Sequence, residues 1–228
     1  MLSHRIARAA ASAAFLLLTS AITFAGIVDP PWDPSEPRTT LAAWTFANPQ
    51  APFEPLIFEN VNGVPQMMPI TGPATYLPDN PLTSTQPGSG VWCLGDGASL
   101  TFFIPNFNTL DPKEIFVSIK YSVPAAGVGV PTVSIAGVSG TPSSPAGPVY
   151  TVEPVSPGVS MIHYLETLPT CEPFFASVSF PFGLPGAVGY IEQVVIQTRC
   201  LPEPGSMALL GVAVLISGRR RRTQVALA

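Results

Sequence analysis

Proline limits this chain more than any other residue type: 28 of its 228 residues are proline and 19 more are glycine. A proline ring carries no amide hydrogen and clashes with the preceding turn of a helix, so proline every few residues leaves no room for long helices in the body. Short strands joined by turns remain open, with proline on strand edges. Such a chain would stay disordered if apolar residues were scarce. Here 46% of residues are hydrophobic and only 11% charged, against about 25% charged in an ordinary soluble domain. A core can form.

The net charge of −4 conceals a segregation. Arg5 and Arg8 stand near the front, and Arg219, Arg220, Arg221 and Arg222 near the back. Between Gly26 and Cys200 four basic residues face thirteen acidic ones, a net of −9. An acidic body repels phosphate backbones, so nucleic acid is not an expected partner.

Residues 1–25 have the three parts of a secretory signal. Arg5 and Arg8 supply the basic start, residues 9–24 the apolar stretch, and Thr23-Phe24-Ala25 the small-residue exit, with cleavage expected between Ala25 and Gly26. The apolar stretch has no polar face, which disfavours an amphipathic helix. At the other end, residues 205–218 form a run of 14 without charge, closed by the four arginines. Spanning a bilayer core takes about 20 apolar residues, so this run suits a transient segment better than a permanent anchor. Thinning and snorkelling leave the anchor open as an alternative. The arginines are expected on the cytoplasmic side, with the body outside.

Pro202, Glu203 and Pro204 stand directly before that run. Pro-Glu-Pro, an apolar segment and an arginine cluster, in this order at the C-terminus, resemble the PEP-CTERM sorting signal. The resemblance covers only the tail, and residues 223–228 extend beyond the family's pattern. It implies an exosortase-type membrane protease as partner, recognition around Pro202, Glu203 and Pro204, removal of the tail, and delivery of the body to the cell surface or an exopolysaccharide biofilm matrix of a Gram-negative bacterium.

Within the body, four prolines in residues 26–40 read as an exposed leader, and the ordered domain is expected over 41–200. Strand composition appears at 41–46 and 55–59, and residues 71–90 read as loop from their clustered turn formers. Strands resume at Val91, and residues 99–104 and 114–123 are the clearest pair. In the second, Ile115, Val117, Ile119 and Tyr121 alternate with Phe116, Ser118, Lys120 and Ser122, which places the first four on one face. Further strands are expected at 131–136, 149–152, 161–168, 174–180 and 191–198. The pattern predicts an all-β fold: a two-sheet antiparallel β-sandwich of jelly-roll type, its first strand near its last, flanked by a signal helix and a short C-terminal apolar helix.

Cys93, Cys171 and Cys200 all lie in the exported part, where disulfides persist. Cys171 with Cys200 is the preferred pair because it would pin the last strand beside the tail, although the sequence also allows Cys93 to pair with either. No enzyme site is legible. His163 sits among apolar residues and reads as a strand histidine, and one histidine with scattered cysteines is too few ligands for zinc. Glu54 with Glu59, Asp111 with Glu114, or Glu153 with Glu166 could be drawn as a glycosidase pair, which keeps a secreted hydrolase acting on exopolysaccharide as the alternative. No cofactor is expected. Asp79 and Asp96, with Asn80, could offer oxygens to calcium, although turn chemistry accounts for them better. Trp44, Trp92 and Phe103 would stack on sugar rings if exposed and otherwise belong to the core. The expected role of the body is structural or adhesive, with carbohydrate as its candidate ligand.

Overall fold

The computed structural model describes residues 30–33, 36–46, 53, 55–82, 90–124, 128–145 and 150–202. The expected signal segment, the 205–218 helix, the arginine cluster and residues 203 and 204 of the motif lie outside them.

Thirteen strands follow in order: β1 (Thr39–Thr45), β2 (Ile57–Glu59), β3 (Gln66–Met67), β4 (Ala74–Leu77), β5 (Val91–Leu94), β6 (Ser99–Ile104), β7 (Lys113–Ser122), β8 (Thr132–Gly137), β9 (Ser144–Pro145), β10 (Tyr150–Ser156), β11 (Val159–Leu168), β12 (Phe174–Ser179) and β13 (Gly189–Cys200). They form two antiparallel sheets. The larger runs β10-β11-β7-β13-β1-β2, with β5 paired to β13 and β4, and β9 paired to β11; the smaller runs β3-β6-β12-β8. The described residues contain no helix.

The alternation in β7 falls as its sequence directs: Ile115, Val117, Ile119 and Tyr121 all enter the core. Register then builds whole rows. Ala42, Ile196, Val117 and Tyr164 lie abreast across four strands, and so do Trp44, Val194, Ile119 and Ile162. The smaller sheet answers with Met67, Phe102, Ala176 and Ile135 in one row. Trp44 and Phe102 meet across the interface at 4.6 Å between ring centres. Each such aromatic contributes about 1.5–3 kcal/mol through burial alone.

The first strand pairs with the last over seven positions, from Thr39 opposite Arg199 to Thr45 opposite Gln193. Pro145 and Pro154 sit on β9 and β10, edge strands, where proline is tolerated. Residues 71–90 are not all loop, because Ala74–Leu77 forms β4 against β5. Its short apolar run is flanked so closely by Gly72, Pro73 and Pro78 that turn signals mask it. In the leader, Pro31, Asp33, Glu36 and Pro37 are exposed, whereas Trp32 is buried, edge-on to Phe116 at 6.3 Å and beneath the Arg199 guanidinium at 5.0 Å.

Candidate functional site

The last strand ends where the tail begins. Cys200, its final residue, forms a disulfide with Cys171 across a separation of 29 residues and 5.6 Å between α-carbons. Of the pairings open to sequence, the preferred one is present. Closing a loop of that length stabilises the fold by about 3–4 kcal/mol in the chain-entropy view.

Backbone bonds hold the same point from two sides. The Cys200 amide donates to the Arg38 carbonyl at 3.2 Å, and the Leu201 amide donates to the Pro112 carbonyl at 2.8 Å. Arg38 adopts φ 70°, a left-handed conformation uncommon for a residue with a side chain. Its guanidinium donates to Thr109 Oγ1 at 3.0 Å and to the Asp111 carboxylate, and lies over the Phe107 ring at 5.7 Å. Thr109 Oγ1 also donates to Asp111 at 3.1 Å, and Thr109 and Cys171 exchange two backbone hydrogen bonds. Arg38, the 105–112 loop, Cys171 and Cys200 are thereby tied into one unit.

Behind the disulfide lies a buried polar cluster. Asn106 Nδ2 donates to Thr198 Oγ1 at 2.9 Å, and the Thr40 and Thr198 hydroxyls bond at 2.7 Å. Lys113, opposite both Cys200 and Leu168 in register, has no exposed surface. Its ammonium donates to the Glu172 carbonyl and lies 4.5 Å from the Phe174 ring centre. Burial lowers its pKa to about 7, with the Glu172 carboxylate pulling the other way. Burial would raise the Glu172 carboxyl, but hydrogen bonds from Ser139 and Thr170 and the nearby Lys113 hold it below the usual range.

The remaining candidates lie elsewhere. His163 is buried on the outer face of the larger sheet, with Nδ1 2.9 Å from Ser118 Oγ and its ring stacked on Phe116 at 5.5 Å. Burial pushes its pKa down, and Glu153 partly opposes this. Trp44 and Trp92 are core residues, so neither is a sugar platform, and Phe103 is half-buried against Phe175 at 5.2 Å. Among the drawn acid pairs, Asp111 binds Arg38, Glu114 binds Arg199 at 2.7 Å, and Glu166 accepts from Ser143 at 3.1 Å; Glu54 lies outside the described residues. Asp96 occupies the exposed turn between β5 and β6, and Asp79 follows β4. Asn80 is buried against Glu192 at 2.6 Å and Ser122 at 3.0 Å. Among the described residues no three of His, Cys, Asp and Glu are grouped to hold a metal. Cys93 is a half-buried free thiol whose pKa burial raises, with Tyr190 as a hydrogen-bond partner that opposes the rise.

Sequence reading missed Arg38, Asn106 and Lys113 as parts of the junction. One signal was available for Lys113. It opens a strand in a body with only two lysines, directly before an alternating apolar run.

Pro202 is exposed. A family model described as the PEP-CTERM protein-sorting motif matches residues 201–222, so the match begins one residue beyond the disulfide. No curated protein matches the chain.

Proposed function

We propose, starting from a tail that carries the PEP-CTERM protein-sorting motif, that this is a secreted protein in four parts: a signal peptide at 1–25, a leader at 26–40 whose last residues already enter β1 at Thr39, a β-sandwich that runs on to 200 and a sorting tail at 201–228. The motif implies exosortase-dependent export to the cell surface or the extracellular space. An exosortase-type protease removes the tail, and membrane association through residues 205–218 is transient. The observation that carries this reading is the position of the match, which starts at the residue after Cys200, the disulfide-bonded end of the last described strand. The test is the intact mass of the protein from producing cells. A species that has lost its tail is expected from the parent, and the full tail is expected on a variant with Pro202, Glu203 and Pro204 replaced by alanine. A parent that still ends at Ala228 overturns the reading.

The body is read as a structural or adhesive module with a jelly-roll path. Consecutive strands cross between sheets, β6 to β7 to β8 and β11 to β12 to β13, which supports that path. Carbohydrate contact finds support in a groove of about 360 Å³ between β2 and β3, lined by Phe53, Pro55, Phe58, Val64, Gln66 and Met67 among others. Phe53 and Phe58 are 45% and 43% exposed there, and an aromatic face beside an amide suits a sugar ring. A glycan array on the isolated body tests this. Binding that Phe58→Ala abolishes supports it, and an array without signal removes it.

A further inference from the structure

The tail signal accounts for residues 201–222 and leaves unexplained why the chain at its start, Cys200 and Leu201, is bonded on several sides. Cys200 and Leu201 are bonded to two different segments, Arg38 and Pro112, while the disulfide adds a third. Arg38 takes a conformation that residues with side chains rarely adopt, and its carbonyl receives the Cys200 amide from there. Asp111 and Thr109 grip its guanidinium. The two backbone bonds continue the β1–β13 and β7–β13 ladders by one position, and the disulfide, the left-handed Arg38 and its side-chain bonds come in addition to them.

We propose that Arg38, with Asp111, the Pro112 carbonyl and the Cys171–Cys200 disulfide, is a positioning element for tail processing: it fixes Leu201 so that the Pro-Glu-Pro motif leaves the body at one point and in one direction. This rests on the exosortase reading above. Leu201 precedes a proline, which disfavours the helical region for it and favours an extended exit. An extended residue spans about 3.3–3.6 Å, so the three motif residues lie within about 11 Å of the anchored Leu201. A protease embedded in the membrane must therefore receive the exit end of the body against its own surface. Orientation fixed before the encounter removes part of the entropy that a flexible linker would spend in reaching the reacting arrangement. Arg38 acts through Cys200 and Leu201 and touches no reacting atom.

The experiment follows conversion of full-length to trimmed protein by pulse-chase in producing cells. One variant inserts Gly-Ser-Gly-Ser between Leu201 and Pro202, which leaves every contact within the body in place. A second, Arg38→Gly, keeps the left-handed backbone and removes the guanidinium. A third swaps charges, Arg38→Asp with Asp111→Arg, since aspartate tolerates that conformation. The insertion and Arg38→Gly are expected to slow trimming about tenfold, and the swap to recover most of the loss. Protease resistance of the body in the same samples separates misfolding from mispositioning; if Arg38→Gly loses that resistance, the insertion alone decides. Trimming of the insertion variant at the parent rate overturns the proposal. The motif-alanine variant is the control: if it too is trimmed at the parent rate, the exosortase reading fails as well, and if it is not trimmed, that reading stands and only the positioning role falls.

Discussion

Lys113 holds its ammonium 4.5 Å from the centre of the Phe174 ring, with no part of the residue open to solvent. A cation in that position is tolerated because the Glu172 carbonyl accepts from it and the ring face attracts it. Burial nevertheless brings its pKa to about 7, far below an ordinary lysine. In the unfolded chain Lys113 keeps its proton to about pH 10, so between pH 7 and 10 the unfolded state binds more protons and stability rises with pH. Below pH 7 the penalty is fully present. The rise attributable to Lys113 is on the order of 4 kcal/mol. Urea unfolding of the oxidised body at pH 6 to 9.5 measures it, with Lys113→Met as the reference that lacks the titrating amine. Parallel pH profiles for the two proteins would show that Lys113 does not titrate as its surroundings dictate.

The disulfide gives a second prediction. Replacing Cys171 and Cys200 together with serine is expected to lower unfolding stability by about 3–4 kcal/mol, from the entropy returned to the unfolded chain. Both cysteines are buried, so the serine hydroxyls add a further loss. Replacing Cys93 in the same way should change stability by less than 1 kcal/mol, since it is half-buried and unbridged. Denaturant midpoints of the three proteins, with and without reductant, separate these cases. Loss of the parent's sensitivity to reductant in Cys93→Ser would reassign the bridge.

How far the sequence led can be seen in single residues. Ile115 to Tyr121 alternated without interruption, and an alternating run states its own inner face because neighbouring side chains point to opposite sides of a sheet. Trp44 and Trp92 could only be given as core or platform, because exposure is set by the opposite sheet and not by the strand's own residues. β4 was lost among turn formers, since four residues between prolines carry too little periodicity. Arg38 and Asp111 are 73 positions apart, and their pairing follows from β1 lying against β13 and from the loop before β7 reaching the same end of the sandwich. No local pattern encodes such a meeting. The tail motif was legible because it is contiguous.

His163 supports a third prediction, in the opposite pH range from Lys113. Its folded pKa is depressed by burial, so as pH falls below about 6.5 the unfolded state takes up a proton first and stability is lost toward the folded pKa. Above that range the stabilisation is complete. His163→Phe should retain the stack on Phe116 while leaving the buried Ser118 hydroxyl unpaired, at a cost of about 1–3 kcal/mol at pH 7.5. The same variant should lose part of the parent's decline between pH 6.5 and 5. A variant that declines as steeply as the parent would assign acid sensitivity to the carboxylates instead.

Trp44 and Phe102 join the two sheets, so truncating either should show whether the sheets are held as one cooperative unit. Trp44 has no exposed surface, its indole Nε1 donates to the Phe53 carbonyl at 3.3 Å, and its ring lies 4.6 Å from Phe102. Phe102→Ala removes the ring and leaves a cavity between the sheets, a change that costs about 3–5 kcal/mol. Trp44→Ala should cost a similar amount and also free the Phe53 carbonyl, loosening the start of the groove that Phe53 lines. Because the two rings touch, the losses should not add: the double variant is expected to fall short of the sum by about 0.5–1.5 kcal/mol, the worth of an aromatic pair beyond burial. Calorimetry of the four proteins measures the cycle, and strict additivity would mean that the sheets are joined by bulk burial without a specific contribution from this contact.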